Sequence, residues 1–329
     1  MVQIKRIVCP VDFSDVSRHA FDRALAVARS YKGEVTVLHV LPLPSPVPAV
    51  PYGPEGPGPF DFDIPDRPRT LAQLSRFLDI EHPGDVPVRE QVIEAGLVHK
   101  EILVQASRMS VDLIVMGTHG RTGVDHLFLG SVAEKTLRAS PIPVMIVPPK
   151  APDAFPTGTP FESILCAVDF SQDSARALAY AASLAQHTAA RLTIVHVVEL
   201  MIPGYDPMVG GFDIEGFQKA MVAGARTQLQ GCAANVTPGP GAIETVLAQG
   251  KPYKEIMREA GQREADLIVV GVHGRSALDR LVFGSTAEHL IRRATPDSYG
   301  EVGRTRLTLD RTGSSILPPK KAEATHTSY

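Results

Sequence analysis

The chain repeats itself, and the repeat is too long to be a solenoid unit. Ile7-Val8-Cys9-Pro10-Val11-Asp12-Phe13-Ser14 returns 157 positions later as Ile164-Leu165-Cys166-Ala167-Val168-Asp169-Phe170-Ser171, and Val37-Leu38-His39-Val40 returns at the same offset as Ile194-Val195-His196-Val197. Asp112-Leu113-Ile114-Val115-Met116-Gly117-Thr118-His119-Gly120-Arg121 comes back as Asp266-Leu267-Ile268-Val269-Val270-Gly271-Val272-His273-Gly274-Arg275 at an offset of 154, so the second copy has lost three residues net between these blocks. Solenoid repeats run ~20–50 residues, whereas a unit of this length buries its own core and counts as a domain. A length of 329 residues suits two such units.

Within the first copy, β-branched runs at Ile4–Val11, Val35–Leu41, Arg89–Glu94, Asp112–Met116 and Val144–Val147 alternate with helix-like stretches containing Ala20–Ala28, Leu71–Leu78, His99–Ala106 and Val132–Leu137. Nearly continuous apolar strands alternating with helices predict an α/β fold, here two repeated open parallel sheets with helices on both faces. Pro42 to Pro68 interrupts the rhythm with ten prolines in twenty-seven residues, which neither a helix nor a central strand accepts, so a long exposed loop is expected there. Pro148 to Pro160 is rich in proline and poor in pattern. The predicted division is a first domain over 1–149, a linker over 150–160, a second domain over 161–295 and a divergent tail over 296–329 that is expected to be disordered, Arg311–Tyr329 included.

Composition removes several classes of function. A net charge of −3 with no dense Lys/Arg stripe gives nucleic acid no cationic surface to release counterions against. No run approaches the ~18–20 apolar residues that span a bilayer, so no membrane role is expected. Met1 to Ile7 runs straight into a strand pattern and leaves no room for a signal peptide, so the expected location is cytoplasmic. Three cysteines make no disulfide framework, and Cys9 and Cys166 lie in apolar runs where a thiol packs as a small hydrophobe.

The chemistry-bearing motif follows the fourth strand. Gly117-x-x-Gly120, nine residues and Gly130-Ser131 are matched by Gly271-x-x-Gly274, nine residues and Gly284-Ser285. Glycines at a strand's carboxyl end let backbone N–H groups approach an anion, and a Gly-Ser pair opening a helix adds a hydroxyl and the positive end of the macrodipole. This is a phosphate cradle, though neither a Walker loop nor a dinucleotide fingerprint. Ser131 with Glu134, and Ser285 with Glu288, fit a Ser-x-x-Glu capping box. The alternative for these glycines and serines is turn-shaping and capping alone.

Asp12 and Asp169 end their first strands, where the cleft of an open parallel sheet lies. Each fits two roles: accepting a ribose hydroxyl or helping to hold a divalent cation, or capping the next helix. Arg121 and Arg275 follow the glycine turn and either offer a guanidinium to phosphate oxygens or stand exposed without a task. His119 and His273 have no carboxylate or nucleophile at a meaningful spacing, which favours a backbone-shaping role over acid–base chemistry. His39 and His196, at the ends of apolar strands, read as packed histidines.

Val-Asp-Phe-Ser after strand one, His-Val at strand two, Asp-Leu-Ile-Val-Met-Gly-Thr-His-Gly-Arg at strand four and Gly-x2-Gly-x9-Gly-Ser together resemble the universal stress protein family, over residues 2–148 and about 161–295. The resemblance implies five-stranded parallel sheets of order 3-2-1-4-5, and the glycine motif marks the family's ATP-binding branch. By similarity Gly117, Gly120, Gly130 and Ser131 would hold phosphates, Asp12 would stand by the ribose or a Mg ion, and Val40 would meet adenine through its backbone. Gly271, Gly274, Gly284, Ser285, Asp169 and Val197 are the matching positions in the second copy.

One departure matters. The first copy ends in a clear fifth strand, Val144-Met145-Ile146-Val147, whereas after Ala294-Thr295-Pro296 the second has no apolar run. The second sheet is therefore expected to be one strand short, or to borrow Arg306-Leu307-Thr308-Leu309 as a poor substitute. The functional expectation is an ATP-binding stress-response module, taking ATP with Mg, whose nucleotide state changes how it meets protein partners. The two copies would form an intramolecular pseudo-dimer, with a homodimer as a further assembly. The alternatives are a slow ATPase or phosphotransferase on the same scaffold, for which no water-positioning group identifies itself, and a nucleotide-independent scaffold acting through Pro42–Pro68. On fold alone, an electron-transfer flavoprotein or an adenylating enzyme is also compatible.

Overall fold

The structure is a computed structural model that describes residues 2–43, 67–79, 85–118, 129–149, 159–199, 213–237, 239–272, 284–293 and 307–310. The first half runs β1 (Arg6–Pro10), α1 (Asp15–Tyr31), β2 (Glu34–Pro42), α2 (Arg67–Asp79), β3 (Val88–Ala95), α3 (Val98–Arg108), β4 (Leu113–Gly117), α4 (Ser131–Ala139) and β5 (Val144–Val147). The second repeats this as β6 (Ser163–Ala167), α5 (Gln172–Thr188), β7 (Arg191–Val198), α6 (Ile214–Ala234), β8 (Ile243–Gln249), α7 (Pro252–Gln262), β9 (Leu267–Gly271), α8 (Ser285–Arg293) and β10 (Leu307–Asp310).

The predicted order 3-2-1-4-5 holds in the first half, where all pairings are parallel. The second half supplies four parallel strands in the order β8-β7-β6-β9. Its fifth position is filled by β10, which runs parallel to β9 with Leu307 opposite Ile268. The same strand runs antiparallel to β5, with Leu307 opposite Ile146, so the two halves share one ten-stranded sheet with β3 and β8 at its edges. The borrowed segment is thus a paired strand, so Leu307–Asp310 departs from the disorder expected for the tail, whose other residues lie outside the described ones.

Strand alternation divides the core into two layers, because successive side chains point to opposite faces. Ile7, Cys9, Leu113, Val115, Met145 and Val147 pack on one face with Phe21 of α1, Leu74 of α2, Leu184 of α5 and Leu229 of α6. Val8, Ile114, Met116, Val144 and Ile146 pack on the other with Ile102 of α3, Leu137 of α4, Ile256 of α7 and Leu290 of α8. Both layers run through both halves. Each fully buried aliphatic side chain contributes roughly 1.5–3 kcal/mol relative to exposure.

The repeated aspartate opening the fourth-strand block has a structural task. Asp112 Oδ2 accepts from the backbone N–H of Lys5 and Arg6 at 2.8 and 2.9 Å, fixing the entry to β1 beside β4. Asp266 Oδ2 accepts from Glu162 and Ser163 at 2.6 and 3.3 Å in the second half.

The proline-rich stretch is shorter at both ends than expected. Pro42 closes β2 opposite Ala95, and Pro68 stands in the first turn of α2, where a missing N–H costs no intrahelical bond. Residues 44–66, like linker residues 150–158, lie outside the described residues. Among the described residues no helix is long and apolar enough to cross a membrane.

Candidate functional site

The site is built from the carboxyl ends of the strands, where the connections from β6 and β9 leave in opposite directions, α5 to one face of the sheet and α8 to the other. In the second half a cleft of ≈ 570 Å³ opens there. Asp169 and Phe170 follow β6 into it, His196 to Glu199 come from the end of β7, Gly271 closes β9, and Gly284 to Ala287 bring in the first turn of α8. Met221 and Gly224 of α6 form its outer wall. Of the second-copy residues singled out from sequence, Asp169, Val197, Gly271, Gly284 and Ser285 therefore meet at one cleft. Gly274 and Arg275, like Gly120, Arg121, His119 and His273, lie outside the described residues.

The aspartates do not cap the helices themselves. Ser14 is the N-cap of α1 and accepts from Ser17 N–H at 3.2 Å, while Asp12 Oδ1 accepts from Ser14 N–H at 3.1 Å and from its hydroxyl at 2.6 Å. The second half repeats the set: Ser171 caps α5 through Ser174 N–H at 3.2 Å, and Asp169 Oδ1 accepts from Ser171 N–H at 3.0 Å and its hydroxyl at 2.5 Å. Each carboxylate orients its capping serine, and Asp169 also lines the cleft.

The two glycine positions of each motif separate into different tasks. None of Gly117, Gly130 and Gly271 has positive φ, so backbone twist does not demand glycine at these positions. A Cβ on Gly117 would come within 2.7 Å of Val16 Cγ1, and one on Gly271 within 2.9 Å of the Asp173 carbonyl carbon. These glycines let the first turn of α1 or α5 pack on the strand end. Gly130, with φ −60 and ψ 143, is the N-cap of α4. Its N–H donates to Thr118 O at 2.7 Å, as Gly284 N–H donates to Val272 O at 3.0 Å.

The capping-box expectation is corrected here. With Gly130 at the cap, Ser131 is the first helical residue, its hydroxyl is exposed, and Glu134 pairs with Arg138 at 2.9 Å instead of reaching back. Gly284 likewise precedes α8, which begins at Ser285. The first N–H groups of α4 thus meet no side-chain cap among the described residues, an arrangement that suits an anion.

Two features went unread in the sequence. Phe13 and Phe170 are left-handed, at φ 66 and 63, between each aspartate and its serine. His39 Nδ1 lies 2.7 Å from Val11 O and its ring stacks on Phe13 at 4.4 Å; His196 Nδ1 lies 2.7 Å from Val168 O, with Phe170 at 4.2 Å. Both histidines are half-buried, and His196 lines the cleft. The signal was the common offset of 157 linking Asp-Phe-Ser and His-Val, which places each imidazole beside the same carbonyl in both copies.

Val40 is buried at the end of β2, opposite Ile93, and Val197 takes the same place in β7 opposite Ala248. Among the described residues no three His, Cys, Asp or Glu side chains converge as a metal site. Cys9 and Cys166 are fully buried as expected, and burial pushes both thiols well above their usual range.

These features define a tandem doubly wound α/β protein with a cleft at the switch point of its second half and the same corner and helix-start geometry in the first. The chain belongs to the universal stress protein family, whose family model matches residues 3–148 and 160–297. It is 33% identical over 143 residues to universal stress protein MJ0531 of Methanocaldococcus jannaschii, covering 44% of this chain and 81% of that protein. It is also 33% identical over 143 residues to universal stress protein A homolog 1 of Coxiella burnetii, covering 44% and 95%. A crystal structure of a universal stress protein from Archaeoglobus fulgidus shares the fold with a TM-score of 0.60 at 21% identity, over 94% of this chain and all of that one.

Proposed function

We propose that each half binds ATP, with Mg carried on the phosphates, and that nucleotide occupancy changes how the protein meets its protein partners. The observation that carries this reading is the meeting of Asp169, Val197, Gly271, Gly284 and Ser285 at one cleft with the first turn of α8. A helix start favours a phosphate, a carboxylate at the first strand end suits ribose hydroxyls or the cation, and the strand-end backbone of β7 suits the base. Asp12, Val40, Gly117, Gly130 and Ser131 would serve the first half in the same way, with Gly120, Arg121, Gly274 and Arg275 completing the phosphate loops. Residues 1–149 and 161–295 act in this reading as two nucleotide-binding domains, locked as a pseudo-dimer by β10 and able to pair again as a homodimer; a cytoplasmic location accords with ATP as the ligand.

Titration of Mg-ATP into the purified chain by calorimetry tests the reading, alongside the paired change Gly130→Ala and Gly284→Ala. Two saturable sites are expected in the wild type, weakened together in the variant. A hundredfold excess of ligand over its Kd should add about 2.7 kcal/mol per site to stability. No heat and an unmoved melting temperature at saturating Mg-ATP would remove the reading.

A further inference from the structure

We infer that His39 and His196 are positioning residues, each holding the left-handed corner after the first strand of its half so that Asp12 or Asp169 is fixed at the cleft. The inference rests on the nucleotide reading above and adds to it residues that do not belong to the phosphate motif.

The corner is strained. A bulky L-residue in the left-handed region costs roughly 1–2 kcal/mol, and such a conformation persists only where its surroundings over-determine it. Phe13 and Phe170 both adopt it, at φ 66 and 63. One imidazole restrains each corner from two sides. The Val11 or Val168 carbonyl can only accept, so Nδ1 donates to it at 2.7 Å in both halves. The same ring lies against the phenyl group two residues on, with centroids 4.4 and 4.2 Å apart and planes 29° and 32° from parallel. The aspartate stands between these two anchored residues, and its Oδ1 is committed to the capping serine.

The surroundings of the two corners differ while this triangle does not. Phe13 also meets Phe77 of α2 edge-on at 5.8 Å, and Arg18 lies over the Phe77 ring at 3.6 Å. In the second half the residue in place of Arg18 is Ala175, and a groove of ≈ 750 Å³ runs between α5 and α6. Packing pressure alone would not reproduce one hydrogen bond and one close ring contact in such unlike settings. A leucine would fill the end of β2 or β7 as well as histidine does; it would not donate to the carbonyl.

The test uses the full chain and changes one half at a time, so that the other site reports on folding. His196→Leu keeps apolar bulk and removes the donor; His196→Asn returns an N–H close to the place of Nδ1. Calorimetry with Mg-ATP should show the first site unchanged and the second weakened about tenfold in the leucine variant, as expected for losing one net hydrogen bond of about 1.5 kcal/mol. The asparagine variant should recover to within about threefold, and in an Asp169→Asn background His196→Leu should cost nothing further. Unchanged second-site affinity in His196→Leu, or losses that add in the double variant, would overturn the inference, as would an asparagine variant no better than leucine. If wild-type protein binds no Mg-ATP, the nucleotide reading itself fails; if it binds and His196→Leu is silent, only the positioning role does.

Discussion

Tyr31 and His187 stack with ring centroids 3.7 Å apart and planes 17° from parallel, joining the last turn of α1 to that of α5. His187 Nε2 also lies 3.0 Å from Ser30 O, and Val2 N–H donates to Ser183 Oγ at 2.6 Å. The halves are therefore held by side chains on one face of the sheet as well as by β10 within it. Tyr31→Ala and His187→Ala should each destabilise the chain, and a double-mutant cycle read by urea unfolding should give a coupling of about 0.5–1.5 kcal/mol, the usual size for a stacked pair. Additive effects would show that the stack does not couple the halves.

The glycine motif should split in two under mutation. Gly117→Ala and Gly271→Ala drive a Cβ into α1 or α5, so ligand-free stability should fall by about 1–3 kcal/mol, as for other overpacked sites. Gly130→Ala meets an extended backbone that alanine adopts freely, and should cost no more than about 1 kcal/mol as a cap change. Thermal unfolding without nucleotide separates the two classes, and equal losses would refute the division.

Thiol chemistry should follow burial. Cys9 and Cys166 are fully buried, with their thiols pushed up by desolvation and then by Asp22 and Cys232 respectively, while Cys232 is partly accessible and raised by burial alone. A thiol-specific reagent at pH 8 should label one cysteine quickly and the other two only on unfolding. The folded state holds these protons more tightly than the unfolded chain, so the stabilisation is complete below pH 9.0 and is lost as pH rises beyond it. Unfolding midpoints measured from pH 8 upward should decline, and less steeply in Cys9→Ala.

Strand β10 should be sensitive to its backbone alone. Thr308 lies between Met145 and Val269, so Thr308→Pro removes an N–H from the interior of the sheet. We expect a lower melting temperature and faster proteolytic cleavage between residues 149 and 160. A variant as stable and as resistant as wild type would show that β10 contributes little to the junction.

Much of this architecture was legible because hydrophobic runs and helix periods report burial directly. The apolar runs Ile4–Val11 and Val144–Val147 read as strands, and Arg306–Leu309 offers itself as a substitute, though a poor one, for the missing fifth strand. Its antiparallel pairing with β5 was not legible, since a four-residue strand carries no information about its direction. The left-handed Phe13 was hidden for a different reason: phenylalanine has no local preference for that conformation, and it is a tertiary partner, His39, that stabilises it. Ser131 matched a capping pattern that Gly130 in fact fulfils, because the motif fixes the spacing to Glu134 but not which residue leaves the helical conformation first.

The position of β10 in the sheet has a consequence for how the molecule is made. Val147 and Leu307 are 160 residues apart in the chain, yet the strand that covers β5 is the last among the described residues. At ~5–20 residues per second, the apolar edge Val144–Val147 would wait on the order of 10–30 s during synthesis before its partner emerges. Among the described residues of the first half no strand pairs with the outer edge of β5, and a neighbouring nascent chain offers the same edge. Assembly of this sheet is a race between closing one's own seam and meeting another's, won by keeping few chains in that interval at once.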